Sequence, residues 1–259
     1  MEFLEWFPAF LLILVRMSAF MLTLPFFNYQ TIPGQVKIGI AVFMSWIIFF
    51  TDDWPALSIN YEYFLLILKE ALTGLTIGLT AAVMLFAIQV AGGVMDLKLG
   101  FLIANVMDPQ TGTQSPLLGS YLYTFSLLLI LAIDAHHLMI DGAFFSYQYV
   151  PMEQLYLPFG DESVVEHFIT AVNTMFIIAF QMAMPVVGSI FLVDVALGMI
   201  ARTVPQVNVF VVGLPLKIFL GLIMMMLTMA PFFILVEHLT EVTIEMMRTL
   251  MQLYGGVDV

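Results

Sequence analysis

The sequence predicts an all-α membrane protein with about six hydrophobic segments, folded as kinked helices and helical hairpins. Three observations carry this expectation. The chain of 259 residues is 62% hydrophobic and only 10% charged, with a mean hydropathy of +1.04. A soluble domain is about 45–50% apolar and about 25% charged, and a soluble fold of this size has too little interior for so much apolar side chain. A disordered chain is excluded as well, because disorder requires low hydrophobicity. Apolar runs close to the roughly 20 residues that cross a bilayer recur along the whole chain. None shows the period-two alternation of strands, and interior prolines and single charges interrupt several of them.

The runs follow in order. Glu2 and Glu5 precede the first one, without the basic residue that opens a signal peptide, so residues 8–27 are expected to stay in the mature chain. Arg16 alone breaks that run. Residues 36–50 are apolar but short for a span, and 51–60, with Asp52, Asp53 and Pro55, read as a loop. Residues 63–94 are long and carry Gly74, Gly78, Gly92 and Gly93. After a polar stretch, 117–133 are apolar again. Residues 134–161 mix His136, His137 and Asp141 with aromatics, Pro151 and Pro158, and read as a helix end followed by a loop. Residues 168–200 form another long run, broken by Pro185 and Asp194. Residues 202–208 are a polar elbow. Residues 209–236 hold Pro215, Lys217 and Pro231, and 237–248 turn amphipathic, with Leu239, Val242, Met246 and Met247 at helical spacing. No fixed repeat and no Ser/Gly linker divides the chain, which reads as one unit over 1–259.

Charge narrows the partners. Lys and Arg number 7 against 19 acidic residues, a net −12, which excludes the basic footprint that nucleic acid needs. The basic residues lie singly, so the positive-inside rule assigns no orientation. With Cys 0 there is no disulfide, thiolate metal site or thiol nucleophile. No Walker, GxGxxG or GxSxG motif occurs, and no catalytic residue or cofactor is expected.

Four features stand out. Asp96, Lys98, Asn105, Asp108, Gln110, Thr111, Thr113, Gln114 and Ser115 form the one dense polar stretch, with Gly100, Pro109, Gly112 and Pro116 preventing a continuous helix. It reads either as an exposed loop or as a loop folded into a pore. Apolar Phe101, Leu102, Ile103, Val106 and Met107 favour burial of its first part. Asp194 and Lys217 lie inside apolar runs, where three readings stand: an ion relay, a buried pair, or a water-facing position. His136–His137, with Asp134 and Asp141, lack a metal-binding spacing, since adjacent side chains do not share a helix face. Glu166–His167 and Glu237–His238 lack a third ligand. All these pairs are read as polar residues at helix ends, with no metal site. The 20 methionines are read as adaptable core.

At 202–215 the chain reads R-T-V-P-Q-V-N-V-F-V-V-G-L-P, preceded by V-A-L-G-M-I-A at 195–201. Residues 94–118 read V-M-D-L-K-L-G-F-L-I-A-N-V-M-D-P-Q-T-G-T-Q-S-P-L-L, with H-H at 136–137 and E-H-L at 237–239. Together these resemble the FliR family of flagellar export-gate proteins and their injectisome counterparts, essentially end to end, with the flagellar branch the closer match. The resemblance implies a conduit rather than an enzyme. It implies a FliP-like part over about 1–165 and a FliQ-like hairpin over about 166–259. It implies assembly with FliP-like and FliQ-like subunits, an FlhB-like protein around them, and unfolded flagellar subunits as cargo. The expected place is the bacterial inner membrane within the basal-body ring, partly above the membrane plane. A pore plug is implied near 106–122, carried by Val106, Met107, Asp108, Pro109, Gln110, Gly112, Gln114 and Pro116. The elbow residues Arg202, Pro205, Gln206, Phe210, Gly213 and Pro215 are read as a structural turn that meets partners. The alternative is a stand-alone secondary transporter or channel that uses Asp194 and Lys217. Against it, the three tryptophans, Trp6, Trp46 and Trp54, sit in the first quarter of the chain rather than in interfacial belts.

Overall fold

A computed structural model describes residues 2–27, 32–52, 54–55, 57, 59–101, 116–206 and 208–256. Among the described residues there is no strand, and eight α-helices follow one another. They are α1 (Glu2–Thr23), α2 (Gly34–Thr51), α3 (Tyr61–Leu99), α4 (Leu117–Ala132), α5 (Ala135–Tyr149), α6 (Glu162–Thr203), α7 (Val209–Leu227) and α8 (Met229–Tyr254). Of these, α1, α2, α3, α6 and α7 are long and apolar enough to cross a membrane, and α4 with α5 makes a sixth if the pair is one span. The protein is an all-α membrane protein, as its composition requires.

Several boundaries differ from the expectation. Residues 36–50 looked short for a span, but α2 takes in the flanking Gly34, Gln35 and Thr51 and reaches 18 residues, about 27 Å at ~1.5 Å per residue. Residues 134–161 hold a full helix, α5, before their loop. The apolar run 209–236 divides at Thr228, and Pro231 falls in the first turn of α8, where its missing N–H costs no helical hydrogen bond.

The run 168–200 was read as interrupted by Pro185 and Asp194, and 63–94 as a long run carrying four glycines. Neither α6, at 42 residues, nor α3, at 39, is broken, and they are about 63 and about 58 Å long at ~1.5 Å per residue. The glycines of α3 serve contact instead. A Cβ on Gly74 would overlap the Arg16 carbonyl, and one on Gly78 would overlap the Thr23 hydroxyl of α1. Further along, a Cβ on Gly92 would overlap the backbone of Gly119 in α4. Small residues at such places let helix backbones approach, a common device of membrane helices.

The chain clusters into two compact units, and α3, α6 and α8 contribute to each of them. The first unit contains Met1–Leu85, Asp134–Val172 and Glu241–Val259. Here α1 and α2 pack through edge-on rings, with Phe10 6.0 Å from Trp46 and 5.9 Å from Phe49. Leu12, Ile13, Met17 and Phe20 of α1 are buried. At the far end of the chain Tyr254 packs against Phe159, with ring centroids 5.4 Å apart, and its carbonyl accepts from Gln154 Nε2 at 2.9 Å. Burial pushes the Tyr254 phenol up to about 12, so it stays neutral.

The second unit contains Phe86–Ile133 and Asn173–Thr240. In it α6 and α7 form an antiparallel hairpin. Leu197 lies against Gly213, and Asp194 pairs with Lys217, so the facing positions are arranged about residue 205. Most of α7 and α2 is uncovered: only 11% and 17% of their apolar windows are buried within the chain.

The glycine contacts give a direct test. Gly92→Val should lower the thermal midpoint of the detergent-purified chain, in line with an overpacking cost of about 1–3 kcal/mol. Gly188→Ala, where nothing lies within 4 Å of a new Cβ, should leave the midpoint unchanged or raise it slightly, since Ala in a helix interior is better than Gly by about 0.5–1 kcal/mol. Equal effects from the two would contradict the contact role.

Candidate functional site

The first unit holds a buried charge cluster. Arg16 comes from α1, and Lys69 and Glu70 from α3. Arg16 and Glu70 are 0% exposed and Lys69 3%. The Glu70 carboxylate accepts from Arg16 Nε, from Arg16 Nη2 at 2.8 Å and from Lys69 Nζ at 2.6 Å. Its partners use their other protons just as fully. Arg16 donates to the Ser146 hydroxyl at 3.0 Å and to the Val150 carbonyl at 2.9 Å. Lys69 donates to the Pro151 carbonyl at 2.9 Å and the Met152 carbonyl at 3.2 Å. The Arg16 guanidinium also lies 3.8 Å from the centroid of the Tyr147 ring, a cation–π arrangement. The carbonyls at 150–152 follow the C-terminus of α5, where the backbone is rich in acceptors and favours cations. Two cations and one carboxylate are thus held dry, with four of the five guanidinium N–H groups and all three ammonium protons donating hydrogen bonds. That geometry fixes α1, α3 and the end of α5 together.

Sequence reading passed over this cluster. Arg16 counted only as an interruption, and the adjacent Lys69 and Glu70 drew no notice. The signal was there: a cation in one apolar run and an acid–base pair in another are costly singly and tolerable only together.

The second unit frames the polar stretch. Gly100, with φ 85°, ends α3 in the left-handed conformation that glycine adopts freely, and its N–H donates to the Asp96 carbonyl at 3.1 Å. Pro116 precedes α4 as its N-cap and supplies no side-chain cap. Asp96 of α3 supplies it instead: its carboxylate, 1% exposed, accepts from the Leu118 N–H at 3.1 and 3.2 Å. A carboxylate at a helix N-terminus satisfies free N–H groups and opposes the helix dipole. The chain therefore leaves α3 and enters α4 at points tied together by Asp96 and by the Gly92–Gly119 contact. Val106, Met107, Asp108, Pro109, Gln110, Gly112 and Gln114 lie outside the described residues. Pro116 and the first turns of α4, with Leu118 and Leu122 buried, lie inside them.

The elbow connects α6 and α7. Arg202, Pro205, Gln206 and Phe210 are exposed, Gly213 is buried against Leu197, and Pro215 is an exposed residue within α7. Asn208, which the sequence reading did not single out, caps α7: its Oδ1 accepts from the Phe210 N–H at 3.2 Å and the Val211 N–H at 3.3 Å. Asp194 and Lys217 form a direct ion pair across the hairpin, 36% and 25% exposed. They neutralise each other at a partly open surface rather than in a sealed interior. His167 is buried. Asp134, His136 and His137 converge despite the expectation that neighbouring histidines diverge: their rings lie 4.0 Å apart.

These features define a membrane protein whose described polar groups hold helices and helix ends together. Residues 7–243 match the family described as bacterial export proteins, family 1, and the chain belongs to that family. It is 51% identical to flagellar biosynthetic protein FliR of Bacillus subtilis (strain 168) over 253 residues, covering 97% of this chain and 98% of that protein. It is 27% identical to flagellar biosynthetic protein FliR of Escherichia coli (strain K12), covering 92% and 90% of the two chains. For the protein of the same name in Aquifex aeolicus (strain VF5) the identity is 25%, covering 87% and 86%.

The cluster and the hairpin pair should differ sharply on mutation. Glu70→Gln strips two buried cations of their carboxylate and should cost about 3–5 kcal/mol. Asp194→Asn breaks a partly exposed pair and should cost about 1 kcal/mol or less. Thermal unfolding in detergent and the amount of protein retained in membranes read both. A larger loss at Asp194 would contradict the assignment.

Proposed function

We propose that this chain is a non-catalytic core subunit of the flagellar type III protein export gate. In this reading it joins FliP-like and FliQ-like subunits, with an FlhB-like protein around them, to form the pore through which unfolded flagellar subunits cross the bacterial inner membrane. The part up to about residue 165 acts as the FliP-like portion, and the remainder as the FliQ-like hairpin. The observation that carries this reading is the end-to-end match to flagellar biosynthetic protein FliR of Bacillus subtilis.

Physical features support it. The uncovered apolar faces of α2 and α7 need cover by lipid or by other subunits, because apolar surface of this extent is unstable in water. The exposed elbow with Arg202, Pro205, Gln206 and Phe210 offers polar and aromatic contacts to such a neighbour. The stretch near 106–122, with Val106, Met107, Asp108, Pro109, Gln110, Gly112, Gln114 and Pro116, is the plug of the pore. A plug has to seal against ions and still give way to cargo. A sequence with Pro109, Gly112 and Pro116 suits that task, because Gly and Pro disfavour a continuous helix. The Asp96 cap and the Gly92–Gly119 contact tie the end of α3 to the start of α4, on either side of this stretch.

Deleting Asp108–Gln114 tests the plug. The gate should still assemble, and the membrane of cells carrying it should leak ions, read as raised conductance or a collapsed potential. Unchanged conductance with the assembled deletion variant would overturn the plug assignment.

A further inference from the structure

We propose that Asp134, His136 and His137 form a binding site for one divalent first-row transition-metal ion, Zn²⁺ fitting the donor set best. Nothing in an export-gate role calls for this site, and it stands on its own geometry.

The local backbone makes the site. Asp134 lies between α4 and α5 at φ 57°, the one non-glycine residue with positive φ among those described. Asp and Asn are the side chains that accept this left-handed conformation at least cost. Asp134 precedes α5 in the N-cap position, yet its side chain makes no capping hydrogen bond. The carboxylate turns to His137 instead, with Oδ1 3.6 Å from Nδ1. Asp134 stands outside the helix, so its carboxylate can face His137, while His136 and His137 are consecutive in the first turn of α5. The His136 and His137 rings stack at 4.0 Å with 38° between their planes. One ligand atom from each of the three residues lies within 4.8 Å of the others.

Those separations match a shared ion. Two ligand atoms each about 2.0–2.1 Å from a tetrahedral zinc lie about 3.4 Å apart. Small rotations of exposed side chains close the remaining gap: Asp134 is 80% and His137 65% exposed. His136 is half-buried, and its Nδ1 meets no hydrogen-bond partner, so no competing bond holds that ring. Two neutral imidazoles and one carboxylate are a familiar nitrogen–oxygen set for zinc, with water completing the shell. A bound ion would draw Asp134 and His137 together and lock the left-handed turn that starts α5. That helix carries Ser146 and Tyr147 into the buried charge cluster.

The test uses the full chain with a non-histidine affinity tag, purified in detergent with the subunits that accompany it and stripped by chelator. Co²⁺ is titrated in, followed by its visible ligand-field bands, and then displaced by Zn²⁺. One saturable equivalent per chain is expected. His137→Ala and, separately, Asp134→Asn should lose it, while His238→Ala should keep it. Asparagine tolerates the left-handed turn, so Asp134→Asn removes the charge without disturbing the backbone. Equal thermal midpoints for variants and parent, measured without metal, show that the fold is retained. Absence of a saturable site in the parent chain, or binding unchanged in both Asp134→Asn and His137→Ala, would overturn the proposal.

Discussion

Arg16 and Lys69 are cations without access to water, and the first unit depends on making that tolerable. Burying an isolated charge costs several kcal/mol even after the surroundings relax. Glu70 offsets part of this cost, and the acceptors past the end of α5 offset more. The requirement runs in both directions. The charges need Val150, Pro151 and Met152 in place, and those residues form an irregular backbone whose carbonyls need donors. An arrangement in which α1, α3 or α5 slides by a turn leaves several buried groups unpaired at once. The cluster therefore specifies one packing in a part of the chain where apolar contacts alone would accept many.

The second unit solves a related problem with a different device. Asp96 reaches from α3 to the start of α4 and supplies the cap that Pro116 cannot. Gly92 and Gly119 let the two backbones touch just beside it. The hairpin of α6 and α7 is tied more loosely, by the partly exposed Asp194–Lys217 pair and by Asn208 at the α7 N-terminus.

Much of this was legible in the sequence and some was not, for physical reasons. Composition points to a membrane protein, because 62% hydrophobic residues cannot be hidden otherwise, and apolar runs near span length without period-two alternation make it all-α. The elbow at 202–208 and the polar stretch before Pro116 stood out because they interrupt strongly apolar runs. The glycines of α3 were noted, but their role was not legible. A helix tolerates an interior glycine at about 1 kcal/mol, and whether it serves contact depends on a facing backbone such as Arg16 or Gly119, which lies far away in the chain. The charge cluster was missed for the same reason, since Arg16 and Glu70 are 54 positions apart. The meeting of Asp134 with His137 needed the left-handed turn, which a periodicity argument does not see.

On the proposed function, this chain works as one part of a larger gate and not alone. Native mass spectrometry in mild detergent distinguishes the two, on the tagged chain produced with its candidate FliP-like and FliQ-like partners and again without them. A single copy of the chain locked into a larger hetero-oligomer is expected when the partners are present. A stable monomer or homodimer that ignores those partners would contradict it and would point to a self-sufficient transporter.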